Sequence, residues 1–419
     1  MFTSSLLQKT AAALALLASV EAGPILKRAL PFDYNSQKVY GVNLGGWFVL
    51  EPWITPSIFA QWANGGGVVD EYTLSQTLGS AAAESTLTQH WQTWITQSDF
   101  NQIAAAGLNH VRIPIGYWAA APLAGDPYVQ GQLPILDQAV TWARSAGLKI
   151  LLDLHGAPGS QNGFDNSGRR GAIDWQQGDT TQQTLNALRA LAERYASDGD
   201  VVTAIELLNE PLGPVLNMDA VKQFYYDGWG TLRDSSQNSV VTIHDAFQDI
   251  DSYWNGFMNQ ASGVDYVMLD THQYQVFSTG QVAMSPSQHV AAACALGPQV
   301  SGTDKWTIVG EWTGAQTDCA KWLNGLGTGA RYDGTFPGST YIGSCDGKYT
   351  GTVDGLSSAD KQNIRSLIEA QLDAYNAHTG WIFWTWRTES SPEWDMQALI
   401  AGGLFPQPLS NRQYPGQCG

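Results

Sequence analysis

Short apolar segments alternate with longer amphipathic segments along most of the chain, and this alternation predicts its elements. Eight apolar segments are predicted strands: Val39–Leu44, His110–Ile115, Lys149–Leu154, Val202–Leu208, Val240–His244, Tyr266–Thr271, Thr307–Gly310 and Trp381–Trp386. The segments with helical periodicity are Ser85–Ala105, Leu133–Ala146, Thr180–Ala196, Asp219–Ser236, Ser285–Leu296 and Ser358–His378. Nearly continuous apolar strands separated by helices are typical of a parallel sheet covered on both faces, so an α/β fold is predicted.

The number of strands favours a closed barrel over an open sheet, because eight strand and helix units close a (β/α)8 TIM barrel. An open doubly wound sheet that binds a nucleotide carries G-x-G-x-x-G after its first strand, whereas residues 42–47 read VNLGGW. A looser glycine-rich stretch at 325–330 follows no predicted strand, so we interpret it as a loop. The long segments Gly45–Glu84 and Glu311–Leu356 follow strands and are predicted to form the walls of the active-site face.

Length and composition fit one large folded domain. Of the 419 residues, 43% are hydrophobic and 14% are charged, which excludes a disordered chain. The 38 acidic residues outnumber the 21 basic ones, and this argues against binding to nucleic acid or to anionic membranes, because both require clustered lysine and arginine. We expect a monomer without a metal or another cofactor.

The N-terminal residues have the order of a secretory signal peptide. Residues 1–22 place Lys9 ahead of an apolar stretch that ends in small residues and is too short to span a membrane. Residues 23–28 end in Lys27-Arg28, which we interpret as a propeptide with a dibasic processing site, although an ordinary surface pair is the alternative. The prediction is a secreted protein, extracellular or in the cell wall, whose residues 29–419 form a single (β/α)8 domain.

All four cysteines lie in the predicted mature chain. An even number in an oxidising compartment favours disulfides over free thiols, and the absence of C-x-x-C argues against zinc binding. Four cysteines allow three pairings. We favour Cys319–Cys345, which closes the loop between them, together with Cys294–Cys418, which ties down the C-terminus.

Polar and aromatic residues follow the predicted strands, on the barrel face where active sites form. They are Arg112, Asp153, His155, Asn209, Glu210, His244, Asp245, Asp270, His272, Tyr274, Glu311, Trp384 and Trp386. Glu210 and Glu311 follow the fourth and seventh strands and are predicted to point into one opening from nearly opposite sides. Glycoside hydrolysis needs such a pair, one carboxyl to protonate the leaving oxygen and one to attack the sugar or activate water. Asn209 is then placed to bind a sugar hydroxyl, and His272 or Tyr274 to hold the attacking carboxylate ionised.

Five segments carry a more specific signal. They are Gly41–Trp53, Val111–Trp118, Asp153–Asn162, Leu208–Pro211 and Val309–Trp312. In order and spacing they resemble glycoside hydrolase family 5, and within it the fungal exo-β-1,3-glucanases, over about residues 32 to 418. The resemblance implies a secreted retaining enzyme that releases glucose from the non-reducing ends of β-1,3-glucans by double displacement.

The resemblance also implies a role for each matching residue. Glu210 is expected to be the acid/base and Glu311 the nucleophile. The sugar-binding positions implied are Glu51, Arg112, His155, Asn209, His272, Tyr274, Trp384, Phe164 and Phe277. In the family, two phenylalanines at the last two of these positions clamp the next sugar at the pocket entrance, although loop aromatics that anchor a lid are the alternative.

Two of these positions have a further alternative. Arg112 is expected to steer Glu311, but an arginine on a barrel strand also suits a structural ion pair with Asp153. Trp384 is expected to form a stacking floor for the sugar, but Trp386 is a second candidate, because strand alternation puts both side chains on the same side.

The implied mechanism starts with Glu210 protonated and Glu311 ionised, so the environments of the two carboxyls must push their pKa values apart. Arg112 beside Glu311 is the expected cause. The predicted pH dependence is bell-shaped, with an optimum on the acidic side of neutral.

Other functions fit parts of the sequence. Within the family, the alternatives are an enzyme for β-1,6-glucan, β-mannan or cellulose, or a glucanase that acts internally or transfers glucosyl units. A second class is a metal-dependent barrel hydrolase that uses His155, His244 and His272. A third class is a glucan-binding protein that kept the barrel and lost turnover, against which the presence of both glutamates counts.

Overall fold

The fold is a closed barrel of eight parallel strands whose spatial order follows the sequence order. A computed structural model describes residues 30–235 and 239–419. The strands are β1 (Val39–Asn43), β2 (His110–Gly116), β3 (Lys149–Gly156), β4 (Val202–Glu206), β5 (Val240–His244), β6 (Val267–Gln273), β7 (Trp306–Trp312) and β8 (Gly380–Phe383). The predicted (β/α)8 TIM barrel is therefore confirmed, and each predicted strand overlaps one in the structure.

The barrel is surrounded by helices, some of which lie in the long loops. They are α1 (Pro56–Phe59), α2 (Glu71–Leu78), α3 (Ser80–Thr93), α4 (Gln97–Ala105), α5 (Tyr117–Ala120), α6 (Gln132–Ala146), α7 (Thr180–Arg194), α8 (Met218–Ser235), α9 (Thr279–Val282), α10 (Pro286–Ser301), α11 (Ser358–Tyr375) and α12 (Met396–Ala401).

The prediction of one helix over Ser85–Ala105 is wrong. Two helices occupy this region, α3 and α4, with a break around Ile95. The Asp99 carboxylate accepts hydrogen bonds from the backbone N–H and the hydroxyl of Thr96, both at 2.8 Å. Because this cap satisfies the first free donor of α4, it starts a new helix rather than continuing the old one.

The inward-facing residues of the strands form two layers. At the bottom, apolar side chains form one buried cluster: Phe32, Tyr34, Val39, Leu151, Ala204, Val240, Met268, Ile308 and Ile382. The next inward positions of β3, β4 and β6 are Asp153, Glu206 and Asp270, all fully buried. Since side chains alternate along a strand, this acidic layer lies directly above the apolar one, under the barrel mouth.

Both favoured disulfides are present. Cys294 of α10 pairs with Cys418 near the C-terminus, and Cys319 pairs with Cys345 in the loop between β7 and α11. None of the described helices is long and apolar enough to span a bilayer. The predicted signal peptide (1–22) and propeptide (23–28) lie outside the described residues.

Candidate active site

A register shift between β6 and β7 sets the position of Glu311. Thr271 pairs with Val309, but the next residue, His272, pairs with Glu311, so Gly310 is an extra residue on β7. The Gly310 N–H donates to the Asp270 carboxylate at 2.7 Å, and a Cβ on Gly310 would lie 2.0 Å from that group. The absence of a side chain at Gly310 therefore lets the bulge turn Glu311 toward the mouth beside His272.

Arg112, on β2, joins the acidic layer to the barrel mouth. Its guanidinium, which is fully buried, donates to Glu206 (2.8 Å), Glu311 (2.8 Å), Asn209 (2.8 Å) and Asn43 (3.0 Å), and lies 3.1 Å from Asp153. Both sequence interpretations of Arg112 thus hold together, since it contacts Glu311 and also forms an ion pair with Asp153. A planar group with several fixed donors suits this task, because each donor orients a different neighbour.

Glu210 lies four residues beyond β4, before Pro211. Its backbone φ is +45°, in the left-handed region that residues other than glycine seldom adopt. Its carboxylate lies 2.8 Å from His272 Nδ1 and accepts a hydrogen bond from Asn166 at 3.2 Å. Glu210 is one of seven described non-glycine residues with a positive φ, a conformation that is common where function requires a fixed geometry.

Glu311 shares a neighbour with Glu210. Its second oxygen accepts a hydrogen bond from the Tyr274 hydroxyl at 2.8 Å and lies 3.4 Å from His272 Nδ1. Arg112 holds the other oxygen. The two carboxylates are therefore not separated by the width of the barrel, because both reach the same ring nitrogen of His272.

The carboxylates open into a pocket of about 630 Å³. Glu51, whose carboxylate accepts a hydrogen bond from the Trp53 indole at 2.8 Å, lines the pocket together with Trp384. Phe164 and Phe277 also line it and are 44% and 43% exposed. Large aromatic side chains that remain this exposed provide apolar faces for a ligand.

Four of the predicted sugar-binding residues lie behind the pocket lining and are buried: Arg112, His155, Asn209 and His272. His155 Nδ1 lies within hydrogen-bond distance of the Asp153 carboxylate, at 2.6 Å. The His155 ring stacks on the Trp384 ring, with the two centroids 5.6 Å apart. Within the described part of the chain, His155 Nε2 and Asn209 Nδ2 are buried without a hydrogen-bond partner. Such atoms are costly to leave unpaired, so a ligand hydroxyl is a natural partner for them.

The alternative in which Trp386, rather than Trp384, forms the stacking floor for the sugar is wrong. β8 ends at Phe383, so strand alternation does not extend to these residues. Trp384 lines the pocket, whereas Trp386 is buried and its indole N–H donates to Asp99 at 3.0 Å.

Several pocket residues were not predicted. Asn166, Phe247 and Trp394 line the pocket. The pocket is also lined by Leu323, Asn324, Thr328, Arg331, Phe336 and Pro337, which belong to the segment Glu311–Leu356 that was predicted to form a wall, although none of them was named individually. The only sequence signal for Asn166 is its position two residues after Phe164 in the same loop. The others lie in loops whose course the sequence pattern does not indicate.

Burial and charge shift the pKa values of the groups in the pocket. For Glu210, burial alone would raise the pKa, but the hydrogen bond and charge of His272 outweigh it and lower the pKa. For Glu311, burial dominates over the charges of His272 and Arg112 and raises the pKa. Burial disfavours a charged His272, yet Glu311, Asp270 and Glu210 together raise its pKa well above the ordinary value.

These directions are opposite to those expected for the two glutamates. Arg112 does contact Glu311 and lowers its pKa, but this effect is smaller than that of burial. The lowered pKa of Glu210 and the raised pKa of His272 favour a proton on His272, which is within hydrogen-bond distance of Glu210. Burial also raises the pKa of Glu51 well above the usual range, which favours its neutral form.

The three histidines considered for a metal site are not brought together. Ligating atoms of Glu210, His244 and His272 lie within 4.8 Å of one another, and those of Glu206, Asp270 and His272 form a second such set. Among the described residues, neither set includes His155. His272 is common to both sets, and its Nδ1 already contacts Glu210 and Glu311.

A TIM barrel with two paired glutamates, one beyond the fourth strand and one near the end of the seventh, opening into an aromatic pocket, defines a glycoside hydrolase. Residues 76–327 match the model of the family described as Cellulase (glycosyl hydrolase family 5). The chain is 63% identical over 410 residues to a Glucan 1,3-beta-glucosidase of Blumeria graminis, covering 97% of this chain and 96% of that one. The chain belongs to glycosyl hydrolase family 5.

Other relatives span the same length. The chain is 55% identical to a Probable glucan 1,3-beta-glucosidase A of Aspergillus niger over 100% of both chains, and 50% identical to a Glucan 1,3-beta-glucosidase of Candida oleophila over 96% and 97%. Among solved structures, the rutinosidase of Aspergillus niger superposes with a TM-score of 0.70 at 21% identity, covering 90% of this chain and 99% of that one. This structural similarity supports the fold alone.

Proposed function

We propose that the protein is a retaining exo-β-1,3-glucanase that releases glucose from the non-reducing ends of β-1,3-glucans. The assignment of a retaining glycoside hydrolase rests on one observation, the contact of both glutamates with the same nitrogen of His272. The names of relatives that share half or more of the sequence over nearly the whole chain support the linkage.

The spacing of the carboxylates favours retention of anomeric configuration. The distance between two atoms cannot exceed the sum of their distances to a third, and His272 Nδ1 is 2.8 Å from Glu210 and 3.4 Å from Glu311. The two facing oxygens therefore approach each other across one ring nitrogen, which supports the shorter carboxyl separation of retaining enzymes, roughly 5–5.5 Å, over the roughly 6.5–9.5 Å of inverting ones. Direct attack by one carboxylate fits this spacing.

Glu311 is the nucleophile in this proposal, because Arg112 and Tyr274 fix its two oxygens. Its free electron pair attacks the anomeric carbon, the bond from that carbon to the leaving oxygen breaks, and Glu210 donates a proton to that oxygen. In the second step Glu210 takes a proton from water, whose oxygen attacks the anomeric carbon and releases Glu311. The enzyme returns to its starting state.

His272 is the immediate source of the proton for Glu210. A protonated histidine next to an ionised glutamate differs from the neutral pair by the position of one proton between two atoms 2.8 Å apart. Substrate binding removes water from the pocket and so penalises the charged pair, which favours transfer of the proton to Glu210. The acid form is thus generated when the sugar is in place.

The pocket lining supports action at a chain end. Glu51, as a neutral carboxyl, is able both to donate and to accept hydrogen bonds with hydroxyls of the terminal glucose. Trp384 provides the floor, and the exposed rings of Phe164 and Phe277 are placed to clamp the next sugar. We further propose that the protein is secreted as a monomer after processing behind residues 22 and 28. The two disulfides support secretion, because disulfides persist in oxidising compartments.

The decisive experiment is a proton NMR time course of the purified mature protein on a linear β-1,3-glucan. The expected first product is β-glucose, which converts to the α-anomer only later. Longer oligosaccharides as first products contradict exo action, and early α-glucose contradicts retention. No product from this glucan, with cleavage of β-1,6-glucan, β-mannan or cellulose, contradicts the linkage.

Replacement of either glutamate tests the assignment of roles. We expect Glu210→Gln and Glu311→Gln each to reduce kcat by about three orders of magnitude or more, because each removes a covalent or proton-transfer step. Circular dichroism and thermal unfolding check that the fold is intact, and Glu193→Gln on the surface of α7 is the control. Substantial turnover by either pocket variant contradicts the assignment.

A further inference from the structure

A second cavity lies on the outside of the barrel, away from the catalytic glutamates. It has a volume of about 500 Å³ and is lined by Tyr40 of β1, Trp381 of β8, the C-terminal ends of α4 and α11, and residues 407–412. We call it the lower cavity, because Tyr40 and Trp381 are the second residues of their strands and so lie toward the end of the barrel opposite its mouth. Among the described residues, none lines both cavities.

The lower cavity exists because the last helix of the barrel is short. In a (β/α)8 barrel, the helix after the eighth strand completes the outer ring between β8 and β1. Here α12 has only six residues, about 9 Å of helix, whereas α11 has 18. The chain then continues as a loop, which leaves space beside the outward-facing rings of Tyr40 and Trp381, whose centroids are 5.4 Å apart.

The loop that forms the outer wall of the lower cavity is fixed before any ligand binds. Glu369 of α11, which is fully buried, accepts a hydrogen bond from the backbone N–H of Gln413 at 2.8 Å. Its ion-pair partner Arg365 donates to the backbone carbonyl of Asn411, and the disulfide at Cys418 ties down the residues that follow. A wall that is ordered in advance loses little entropy when a ligand binds.

Two buried polar atoms at the lower cavity have no hydrogen-bond partner among the described residues. They are Asn376 Oδ1, at the end of α11, and Arg412 Nη1, in the loop. One is an acceptor and the other a donor, and leaving either of them unpaired in the interior costs free energy. A hydroxyl group is able to donate to the first and to accept from the second, so a ligand rich in hydroxyls fits this pair.

The charge of the lower cavity favours a neutral ligand. Arg412 is the only charged residue among the described residues that line it, and its Nη2 lies 3.5 Å from the Asp373 carboxylate. Because this carboxylate offsets the charge of the guanidinium, an anionic ligand gains little there. The lining also combines the Tyr40 ring with the Ser410 hydroxyl and the Gln407 amide. Such a combination matches a pyranose, which has apolar faces and a rim of hydroxyls.

We propose that the lower cavity is a second carbohydrate-binding site, which anchors the enzyme to a glucosyl unit of the polysaccharide while the catalytic pocket acts on a chain end. The identity of the sugar rests on the proposed function. An enzyme that cleaves only at chain ends meets few cleavable bonds on an insoluble glucan, so an anchor raises the effective concentration of those ends near the pocket. A short soluble substrate does not need the anchor, so we expect the lower cavity to affect hydrolysis of the polysaccharide alone.

The test measures binding isotherms on an insoluble linear β-1,3-glucan in the Glu311→Gln background, which prevents digestion. Arg412→Met and Asn376→Leu each remove one of the unpaired polar atoms and keep most of the side-chain volume. We expect each to raise the Kd for the particles about three- to tenfold, which corresponds to the loss of one hydrogen bond to a ligand. In the active enzyme, we expect both variants to keep the wild-type kcat/KM on a soluble β-1,3-linked trisaccharide and to hydrolyse the particles more slowly.

Arg189→Met is the matched control, because Arg189 is also paired with an aspartate, Asp234 at 3.7 Å, and lines neither cavity. We expect it to leave the Kd unchanged. Thermal unfolding without glucan separates binding from a structural role. Removal of a buried polar atom that has no partner is expected not to lower Tm, whereas loss of a structural hydrogen bond lowers it.

Unchanged Kd values in both cavity variants overturn the proposal, as does an equal rise in Arg189→Met, because the effect then follows net charge and not the cavity. A fall in Tm in both cavity variants also overturns it, since the two residues are then structural, and so does a Glu311→Gln parent that does not bind the particles. If the wild-type enzyme cleaves another β-glycan instead of β-1,3-glucan, the linkage in the proposed function fails. The same isotherms on the polysaccharide that is cleaved then decide on the lower cavity.

Discussion

At the residue scale, the chemistry of this protein centres on His272. Its ring lies 2.8 Å from Glu210, 3.4 Å from Glu311 and 3.7 Å from Asp270, and its ring centroid is 4.4 Å from that of His244. Three carboxylates raise its pKa well above the ordinary value despite complete burial. The proton needed for catalysis is therefore stored on a histidine rather than on the glutamate that delivers it.

This storage predicts an effect of His272 on the pH profile. The alkaline limb of kcat/KM is expected to follow the loss of the His272 proton, and the acid limb the protonation of Glu311, whose pKa is raised. In His272→Gln the proton is held by Glu210 alone, a carboxyl whose pKa burial raises but which lacks the strongly raised pKa of His272, so the alkaline limb is expected to move to lower pH. Initial rates between pH 4 and about 9 measure this shift.

His110→Gln is the matched control for this experiment, because His110 is also buried but lies at the bottom of the barrel, where its ring nitrogens contact Asn109 and Tyr34. Its alkaline limb is expected to stay in place. A His272→Gln enzyme that loses activity equally at every pH is evidence for a purely structural histidine and contradicts the proton-storage account.

At the element scale, the bulge between β6 and β7 decides where Glu311 points. Thr271 and His272 are neighbours on β6, but their partners Val309 and Glu311 are separated by Gly310. A regular ladder would pair His272 with Gly310 and leave Glu311 one position further along. The extra residue interrupts the alternation of side chains along β7, and as a result Glu311 lies beside His272.

Gly310→Ala is therefore expected to disturb both stability and catalysis. The new Cβ would lie about 2 Å from the Asp270 carboxylate oxygens, and the acidic layer is too tightly packed to yield without cost. We expect a loss of about 1–3 kcal/mol in the free energy of unfolding, measured in urea, and a fall in kcat of at least about tenfold as Glu311 moves.

Gly230→Ala provides the comparison, because Gly230 lies in α8 and an added Cβ meets nothing within 4 Å. Alanine in a helix is favoured over glycine, so this variant is expected to be equally stable or more stable by up to about 1 kcal/mol. Unchanged kcat in Gly310→Ala contradicts the role assigned to the bulge.

At the scale of the whole molecule, buried carboxyl groups make stability depend on pH. Burial raises the pKa of Glu71 to about 8 and those of Asp165, Asp245 and Glu393 to about 7. These groups are protonated in the folded chain and ionised in the unfolded chain between pH about 4.5 and their raised pKa values. Their contribution to stability is complete below that window and is lost as the pH rises through 7 to about 8.

Buried histidines act in the opposite direction at lower pH. Burial lowers the pKa of His90 to about 4 and that of His110 to about 3, so unfolding takes up protons below pH about 6.5 and stability falls on acidification. Between pH about 4.5 and 6.5 the four carboxyls outweigh the two histidines, so the two effects together predict a maximum of Tm near pH about 4.5 and a decline from there toward pH 8.

Glu393→Gln tests this explanation of the pH dependence of stability. The variant removes one buried carboxyl whose ionisation destabilises the folded chain. We expect a smaller fall in Tm between pH 6 and 8 than in the wild type, as measured by calorimetry; Glu193→Gln, an exposed position, is expected to leave the slope unchanged. For a pKa raised to about 7, the difference between variant and wild type corresponds to about 1–3 kcal/mol in the free energy of unfolding. Equal slopes in both variants contradict it.

The sequence by itself determined the barrel and the catalytic pair. Eight apolar segments separated by helical ones specify a parallel closed sheet, since each segment must bury both faces, and the polar residue that ends each strand then lies at the barrel mouth. Glu210 and Glu311 were predicted in this way, and both lie in the pocket. The break between α3 and α4 was also encoded locally, in Thr96 and Asp99, but the apolar periodicity masked it.

Only the tertiary structure decided how these residues work. Trp384 faces the pocket and Trp386 does not, because β8 ends before both of them. The pKa of His272 is raised and that of Glu210 lowered, because the pKa of a buried group depends on every charge near it in space, and those charges come from several different strands. Asn324 and Phe336, in the loop after β7, line the same pocket as Phe164, and no periodicity along the chain describes the course of that loop. Patterns along the chain are local, whereas proton positions and pocket shape depend on contacts between distant segments.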